Sequence, residues 1–324
     1  MSNEVAAALN NWVPYRLYEE GNNLYCRWLY LGDDAMAEPF FDDTVSKCKS
    51  LPANSQLRRC CSNLDILPEW ASLTNAAEPT ALIFHVSRCG STLVSQLLGL
   101  QASNIVLSEV PFFDQVLREG HNKKSMQTML PVLQAAIQLY GAKRLPAQQQ
   151  LFIKTDSWHI HFYKELRQLY PHTPFVLLYR KPDEVIRSQQ KKRGMQAVPG
   201  VVEPSIFGFD TEKVMSMDFD EYMAMVLEGY FEKFIQLATT DAQTLLLNYN
   251  EGGMALVEKI AAFAGTSISD QEKEAMLQRS SFHGKFPDQV FAEAKIKEEL
   301  PAYLHKAMSL YDQIESIRLK KSVG

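Results

Sequence analysis

Short apolar runs alternate with helix-like spacing along most of the chain after residue 80. The runs ALIFHV, LFIKT, TPFVLLYR and TLLLNY have the length of buried strands. Between the first two runs, apolar residues recur at intervals of three and four, at Met126, Met129, Leu130, Leu133, Ile137 and Tyr140. This spacing predicts a helix with one face in the core. Strands that alternate with helices predict an α/β fold with a mainly parallel sheet.

The same reasoning predicts the elements that follow. Helices are expected over residues 182–192, 218–239, 251–264, 269–279 and 289–318. Residues 193–217 lack this spacing and are expected to form a long loop. A loop of this length inside a compact domain is typically a lid or a binding element.

The first 75 residues follow a different pattern. NLYCRWLYLG has the composition of a strand, and EPFFDDTVSKCKSL that of a turn with a short helix. The polar segment NAAEPT, residues 75–80, directly precedes the first strongly buried run and is the predicted boundary. We therefore expect an accessory segment over 1–75, with a strand pair and short helices, and a main domain over 76–324.

Composition and charge narrow the classes of partner. The chain has 324 residues, of which 46% are hydrophobic and 22% charged, as in ordinary globular proteins. A net charge of -5 argues against bulk nucleic-acid or membrane-surface binding, so any anion site must be local. The five cysteines form an odd, unpatterned set, and no apolar run is long enough to span a bilayer. These features favour a cytoplasmic protein with no nucleic-acid partner and no membrane span.

The strand ALIFHV leads into a candidate phosphate-binding loop, SRCGST. Such a strand-to-helix loop presents backbone N–H groups and the positive end of a helix dipole to an anion. Nucleoside triphosphatases place a lysine after the glycine of this loop, but Ser91 stands there, and the cation is Arg88. With Ser91 and Thr92 as neutral donors, the loop suits a single 5′-phosphate better than a triphosphate.

A second candidate phosphate contact follows the third run. Arg180 stands at the carboxyl end of that strand, where ligands of open parallel sheets collect, and Pro182 favours a helix start just after it. Ser188 lies eight residues beyond Arg180 on the predicted helix. A strand-end salt bridge and a plain helix-face hydroxyl are the alternative explanations.

The two motifs together resemble the sulfotransferases that use 3′-phosphoadenosine 5′-phosphosulfate (PAPS). Their loop has Lys or Arg, one residue, Gly, then Ser/Thr-Thr, and their 3′-phosphate element has Arg and Ser eight residues apart. The resemblance implies a three-layer, P-loop NTPase-like parallel sheet flanked by helices, with a small N-terminal attachment. It also implies that PAPS is the co-substrate, that no metal is required, and that a hydroxyl or amine is sulfated.

The resemblance implies site residues as well. The 5′-phosphosulfate would be bound by the loop residues Arg88, Cys89, Gly90, Ser91 and Thr92. The 3′-phosphate would be bound by Arg180 and Ser188. Lys285, in HGKF, is a loose match to a further basic contact with that phosphate.

A base must remove the proton of the acceptor. Glu109 follows the apolar run NIVLS and therefore should lie at the end of a strand; it resembles the catalytic glutamate of tyrosylprotein-type members. Asp114 and His159 are alternatives for this role. His159 and His161 also form a possible metal pair, which we disfavour because no carboxylate or cysteine partner accompanies them in the sequence.

Cations must balance the charge of the transferred group. Lys154 closes the run LFIK and resembles the lysine that meets the sulfonate or the leaving oxygen in several branches of the family. The proline of that element is absent, so the role of Asp156 stays open. Arg88 is the second candidate cation.

Two other functions remain open at this stage. One is a P-loop nucleotide kinase or NTPase, disfavoured by Ser91 in the lysine position. The other is a non-catalytic nucleotide-binding scaffold with a degenerate site. The acceptor, a small molecule or a peptide, and the oligomeric state are not determined by the sequence.

Overall fold

The computed structural model describes residues 9–55, 60–280 and 300–321. The chain divides into two compact units. One comprises residues 1–82, 95–156 and 165–173, and the other comprises residues 83–94, 157–164 and 174–324. The accessory segment over 1–75 stays a prediction.

The first unit contains a small antiparallel sheet, with strands β1 (Trp12–Glu20), β2 (Asn23–Tyr30) and β3 (Cys61–Asn63) in that order. The hairpin between β1 and β2 is tight because Gly21 adopts φ +62°, which glycine tolerates without strain. β1 is held by two long-range hydrogen bonds. Tyr140 Oη donates to the Pro14 carbonyl at 2.7 Å, and the Leu17 N–H donates to Gln115 Oε1 at 2.6 Å.

Within the described residues, the main sheet has five strands in the order β5-β6-β4-β7-β8. They are β4 (Pro79–His85), β5 (Asn104–Ser108), β6 (Gln150–Lys154), β7 (Phe175–Tyr179) and β8 (Thr244–Asn248). β5 pairs with β6, and β7 with β8, in parallel. The four predicted runs are all strands, and the predicted α/β class with a parallel sheet flanked by helices is confirmed.

The helices that precede β7 are α1 (Phe41–Cys48), α2 (Ile66–Ala71), α3 (Ser91–Leu98), α4 (Pro111–Asn122), α5 (Met126–Tyr140) and α6 (Tyr163–Leu169). Those that follow it are α7 (Pro182–Lys191), α8 (Thr211–Val214), α9 (Phe219–Thr240), α10 (Gly253–Phe263), α11 (Asp270–Ser280) and α12 (His305–Lys321). The periodic residues from 126 to 140 form α5 as predicted. The four predicted helices between 182 and 279 are also present, with ends shifted by one or two residues.

Two predicted segments differ from the structure. The expected loop 193–217 contains three short helical turns, Met195–Ala197, Pro204–Phe207 and α8. The expected helix 289–318 begins in residues that lie outside the described part. Within the described part the prediction places it too early, because residues 300–301 are not helical, Ala302–Leu304 form a 3-10 turn, and α12 begins only at His305.

The core of the second unit is built on β7 and α9. All five residues of β7 are buried, and Phe175 packs edge-on against Phe84 of β4 at 5.0 Å between ring centroids. Asp218 directly precedes α9, and its side chain accepts the N–H groups of Asp220 and Glu221 and so caps the helix. Burying each aromatic side chain of this kind stabilises the fold by about 1.5–3 kcal/mol. In the described residues, every helix is too short or too polar to cross a bilayer.

Candidate active site

The loop between β4 and α3 has an unusual backbone. Ser87 and Arg88 have φ +64° and +49°, and Gly90 has φ +77°. Residues other than glycine rarely adopt this left-handed region, which costs roughly 1–2 kcal/mol each. Such strain persists only where surrounding contacts enforce it, and it is concentrated at functional sites. The strained backbone therefore indicates that this loop has a role beyond joining β4 to α3.

His85 and Gln189 hold the loop in this conformation. His85, which stands where a phosphate-binding loop usually begins with glycine, accepts the Ser87 N–H at its Nδ1, at 3.1 Å. Gln189 of α7 is fully buried and donates from Nε2 to Ser87 Oγ at 3.2 Å. Its Oε1 accepts the Gly194 N–H at 2.8 Å. These bonds explain how a loop without its leading glycine keeps its shape.

Gly90 lies directly against an aromatic ring. A Cβ atom at this position would be 2.7 Å from both Cδ2 and Cε2 of Tyr249. Only glycine fits, because of this contact as well as the positive φ. Ser91 and Thr92, the next two residues, are both buried at the start of α3.

Arg180 connects β7 to the loop. Its side chain is buried, and Nη1 donates to the Arg88 carbonyl at 3.2 Å. Nε donates to Glu184 Oε2 at 2.9 Å, one helical turn further along α7. The guanidinium carbon lies 4.3 Å from the centroid of the Tyr249 ring, within the range of a cation–π contact. Arg180 is thus a positioned cation beside the loop between β4 and α3.

Arg88 and Ser188 are also in this neighbourhood. Arg88 Nη2 donates to the carbonyl of Lys192, the residue that follows α7. The Lys192 N–H in turn donates to the Ser188 carbonyl at 3.4 Å, and Ser188 is partly exposed. The second unit therefore brings the Arg88 loop, Arg180 and the helix that carries Ser188 together.

Two further residues were predicted to contact the nucleotide, Cys89 and Lys285. Cys89 is fully buried, and its thiol donates to the Leu178 carbonyl at 3.5 Å. Only the backbone of Cys89 is therefore available to an anion. Lys285 lies outside the described residues.

In the first unit, Glu109 and Lys154 form an ion pair at the ends of adjacent strands. Lys154 Nζ is 2.8 Å from Glu109 Oε1, and the Glu109 N–H donates to the Lys154 carbonyl at 2.8 Å. The Lys154 side chain is completely buried, with Nζ 4.7 Å above the Phe40 ring, whereas 26% of the Glu109 side chain is exposed. Glu109, the residue directly after β5, has φ +53° and is therefore strained, as Ser87 and Arg88 are.

A buried acid lies in the same unit. Burial raises the pKa of Asp156 well above its ordinary value, and the carboxylates of Glu109 and Asp114 raise it further, whereas Lys154 opposes them. Asp114 is buried too, and its Oδ2 is 3.3 Å from Arg118 Nη1.

The two histidines, in the second unit, have aromatic surroundings. The buried His159 ring lies edge-on to Trp158 at 5.9 Å and to Phe162 at 6.3 Å. The His161 ring lies 5.4 Å from that of Phe207, and burial lowers the pKa of His161 to about 4. His161 is therefore neutral near pH 7.

Sequence reasoning missed three residues that contact the site. Glu184 could have been found, because an acid four residues after Arg180 on a helix is a regular ion-pair spacing. Tyr249 and Gln189 reach the loop from elements distant in sequence, and local spacing does not show these contacts. The run LLLNYNEG, which contains Tyr249, also resembles a late strand of the sulfotransferase family with an aromatic-acid pair, in which Asn250 replaces the acid.

The sequence matches no protein-family model and no curated protein sequence. Among solved structures, the chain is similar to a sulfotransferase from Mycobacterium avium, with 12% identity over 78% of this chain and 77% of that one, and a TM-score of 0.46. A sulfotransferase from Alicyclobacillus acidocaldarius has 12% identity over 75% and 95% of the two chains, with a TM-score of 0.42. A mouse sulfotransferase in complex with PAP has 10% identity over 76% and 78%, with a TM-score of 0.35. Because these scores are low, the functional argument rests on the geometry of the site.

Proposed function

We propose that the protein is a sulfotransferase that moves a sulfuryl group from PAPS to a hydroxyl or amine acceptor. The observation that carries this proposal is the hydrogen bond from Arg180 to the Arg88 carbonyl. It brings a second cation, which is buried, against the half-buried Arg88 and a loop whose lysine position is Ser91. One adenosine with phosphates at both its 5′ and 3′ positions needs such a pair of neighbouring anion contacts.

The proposed binding roles follow from this arrangement. Backbone N–H groups from Arg88 to Thr92 and the start of α3 bind the 5′-phosphate, because helix N-termini favour anions. Arg88 balances charge that develops on the oxygen between phosphorus and sulfur. Arg180 and Ser188 bind the 3′-phosphate, with Lys285 as a further contact.

The proposed reaction is an in-line displacement at sulfur. The acceptor oxygen or nitrogen attacks sulfur, the bond from sulfur to the 5′-phosphate oxygen breaks, and 3′-phosphoadenosine 5′-phosphate (PAP) leaves. Glu109 takes the proton of the acceptor, and its carboxylate is held 2.8 Å from Lys154 Nζ at the end of the neighbouring strand. Lys154 also adds positive charge for the transferred group. Asp114 and His159 are the alternative bases.

The experiment is an assay of PAP release from PAPS in the presence of a panel of hydroxyl and amine acceptors. We expect acceptor-dependent PAP release without added magnesium, and its loss in Glu109→Gln. Glu258→Gln, at an exposed glutamate of α10, is the matched control and should behave as wild type. Magnesium-dependent ATP hydrolysis without any use of PAPS would contradict the proposal and favour the kinase or NTPase.

A further inference from the structure

A separate cavity lies along β8, the last strand of the main sheet. Its volume is about 170 Å³, and it is lined by Thr244, Leu245, Leu246, Lys259, Arg318 and Lys321. Thr244 begins β8 and pairs with Phe175 at the start of β7. Arg180 follows the opposite end of β7, so this cavity is distinct from the phosphate loop.

Thr244 places an unsatisfied polar atom at the cavity. The residue is only 4% exposed, and its Oγ1 is buried without a hydrogen-bond partner among the described residues. A buried hydroxyl normally has a partner, since its desolvation is otherwise uncompensated. An acceptor atom bound in the cavity would supply the partner.

The other polar groups of the cavity are three cations. Lys259 Nζ pairs with Glu251, and Arg318 Nη1 lies 3.4 Å from the same carboxylate. Arg318 Nε and Nη2 bind Glu315 at 2.9 and 2.8 Å. Within the described part of the chain, Lys321 at the end of α12 has no ion-pair partner.

The balance of charge and donors favours an anion. Among the described residues, three cationic groups face two carboxylates, Glu251 and Glu315, so one positive charge remains uncompensated there. An ammonium has three N–H groups and a guanidinium has five, and the bonds to these carboxylates use only some of them. Donors therefore remain on Lys259, Arg318 and Lys321.

We propose that this cavity binds a tetrahedral oxyanion, phosphate or sulfate, with Thr244 Oγ1 donating to one oxygen and the three cations binding the others. A tetrahedral dianion offers acceptor oxygens in four directions and matches donors that come from a strand and two helices. A carboxylate offers two oxygens in one plane and a single charge. The leucine side chains leave room for an organic substituent, so both a free ion and a monoester carry this chemistry.

The test is calorimetric titration of the full chain with inorganic phosphate, inorganic sulfate and phenyl phosphate, at constant ionic strength set with chloride. Thr244→Val and Lys321→Met should each weaken binding by roughly tenfold, because each removes one hydrogen-bond donor of the anion. Lys320→Met, an exposed neighbour that does not line the cavity, is the matched control and should bind as wild type. Tighter binding of phenyl phosphate would assign the site to a monoester, and equal binding to the free ion.

Three results would overturn the proposal. One is the absence of measurable binding by the wild type. Another is equal weakening by Lys320→Met and Lys321→Met, which would indicate general attraction to the end of α12. The third is loss of all binding in Arg88→Ala while Thr244→Val and Lys321→Met bind normally, because the anion would then be at the loop. Crystals soaked in selenate give an independent readout, with an anomalous peak expected beside Thr244 Oγ1.

Discussion

Arg180 Nη1 donates a hydrogen bond of 3.2 Å to the backbone carbonyl of Arg88. The bond joins the end of β7 to a loop that follows β4. The Tyr249 ring contacts both residues: its centroid lies 4.3 Å from the Arg180 guanidinium carbon, and its edge atoms Cδ2 and Cε2 lie against Gly90. Changes at Arg180, Gly90 or Tyr249 should therefore have related effects on ligand binding.

Arg180→Ala should weaken binding of PAP by roughly 10- to 100-fold, because a charge-assisted hydrogen bond contributes about 1.5–3 kcal/mol. Binding of 5′-AMP, which lacks the 3′-phosphate, should change much less. Isothermal titration calorimetry with both nucleotides measures the difference. Arg187→Ala, at a more exposed arginine of the helix α7 that follows Arg180, is the control and should bind both as wild type. Equal losses for PAP and 5′-AMP would mean that Arg180 only holds the loop.

Gly90→Ala should destabilise the protein by more than the cost of a left-handed alanine. Gly208→Ala is the matched control, because Gly208 has φ +76° and open space around the new Cβ. That control should lose about 1–2 kcal/mol, and Gly90→Ala should lose more because of the Tyr249 contact. Adding Tyr249→Ala should recover part of the difference in chemical denaturation. Equal losses of unfolding free energy in Gly90→Ala and Gly208→Ala would show that the Tyr249 ring moves aside at no energetic cost.

Glu109→Gln should reduce both turnover and stability. Loss of a general base lowers kcat by roughly 10²- to 10⁴-fold, and loss of the carboxylate beside the buried Lys154 costs about 3–5 kcal/mol. The double variant Glu109→Gln with Lys154→Met should regain stability but not activity. Lys123→Met, which breaks an exposed pair with Glu19 of similar length, should change stability little. Recovery of activity in the double variant would exclude both assigned roles.

Asp156 should make stability fall as the pH rises. Its pKa in the folded protein is above its ordinary value of 3.8, so the folded state binds the proton more tightly than the unfolded state. The resulting stabilisation is complete below pH 3.8 and is lost as the pH rises through the folded pKa. Melting temperatures across pH should thus decline less steeply in Asp156→Asn, whereas Asp312→Asn, at an exposed position, should follow wild type. If the melting temperature depended on pH equally in Asp156→Asn and wild type, the raised pKa of Asp156 would be contradicted.

The sequence predicted most of the sheet, because buried strands such as β7 are continuous apolar runs that leave little ambiguity. It also predicted that Glu109 and Lys154 lie at strand ends. The pairing of β5 with β6, with Ser108 opposite Lys154, then brings their side chains together. That pairing is a property of strand order, which local periodicity does not encode.

The shape of the loop between β4 and α3, the proposed phosphate-binding loop, could not be predicted in the same way. Ser87 and Arg88 are residues that ordinarily avoid positive φ, and they adopt it here because His85 and Gln189 hold the loop. The contact of Tyr249 with Gly90 joins residues that are far apart in sequence, so it became visible only in the fold.

The most direct test of the central claim is a calorimetric comparison of PAP with ATP and GTP, each with and without magnesium, on the unmodified chain. The account places two anion contacts side by side, the loop that carries Arg88 and the neighbouring Arg180, and Ser91 stands where a triphosphate-binding loop has its lysine. It therefore predicts that PAP binds more tightly than either triphosphate and that magnesium does not change the affinity. Tighter, magnesium-dependent binding of ATP or GTP would contradict the account.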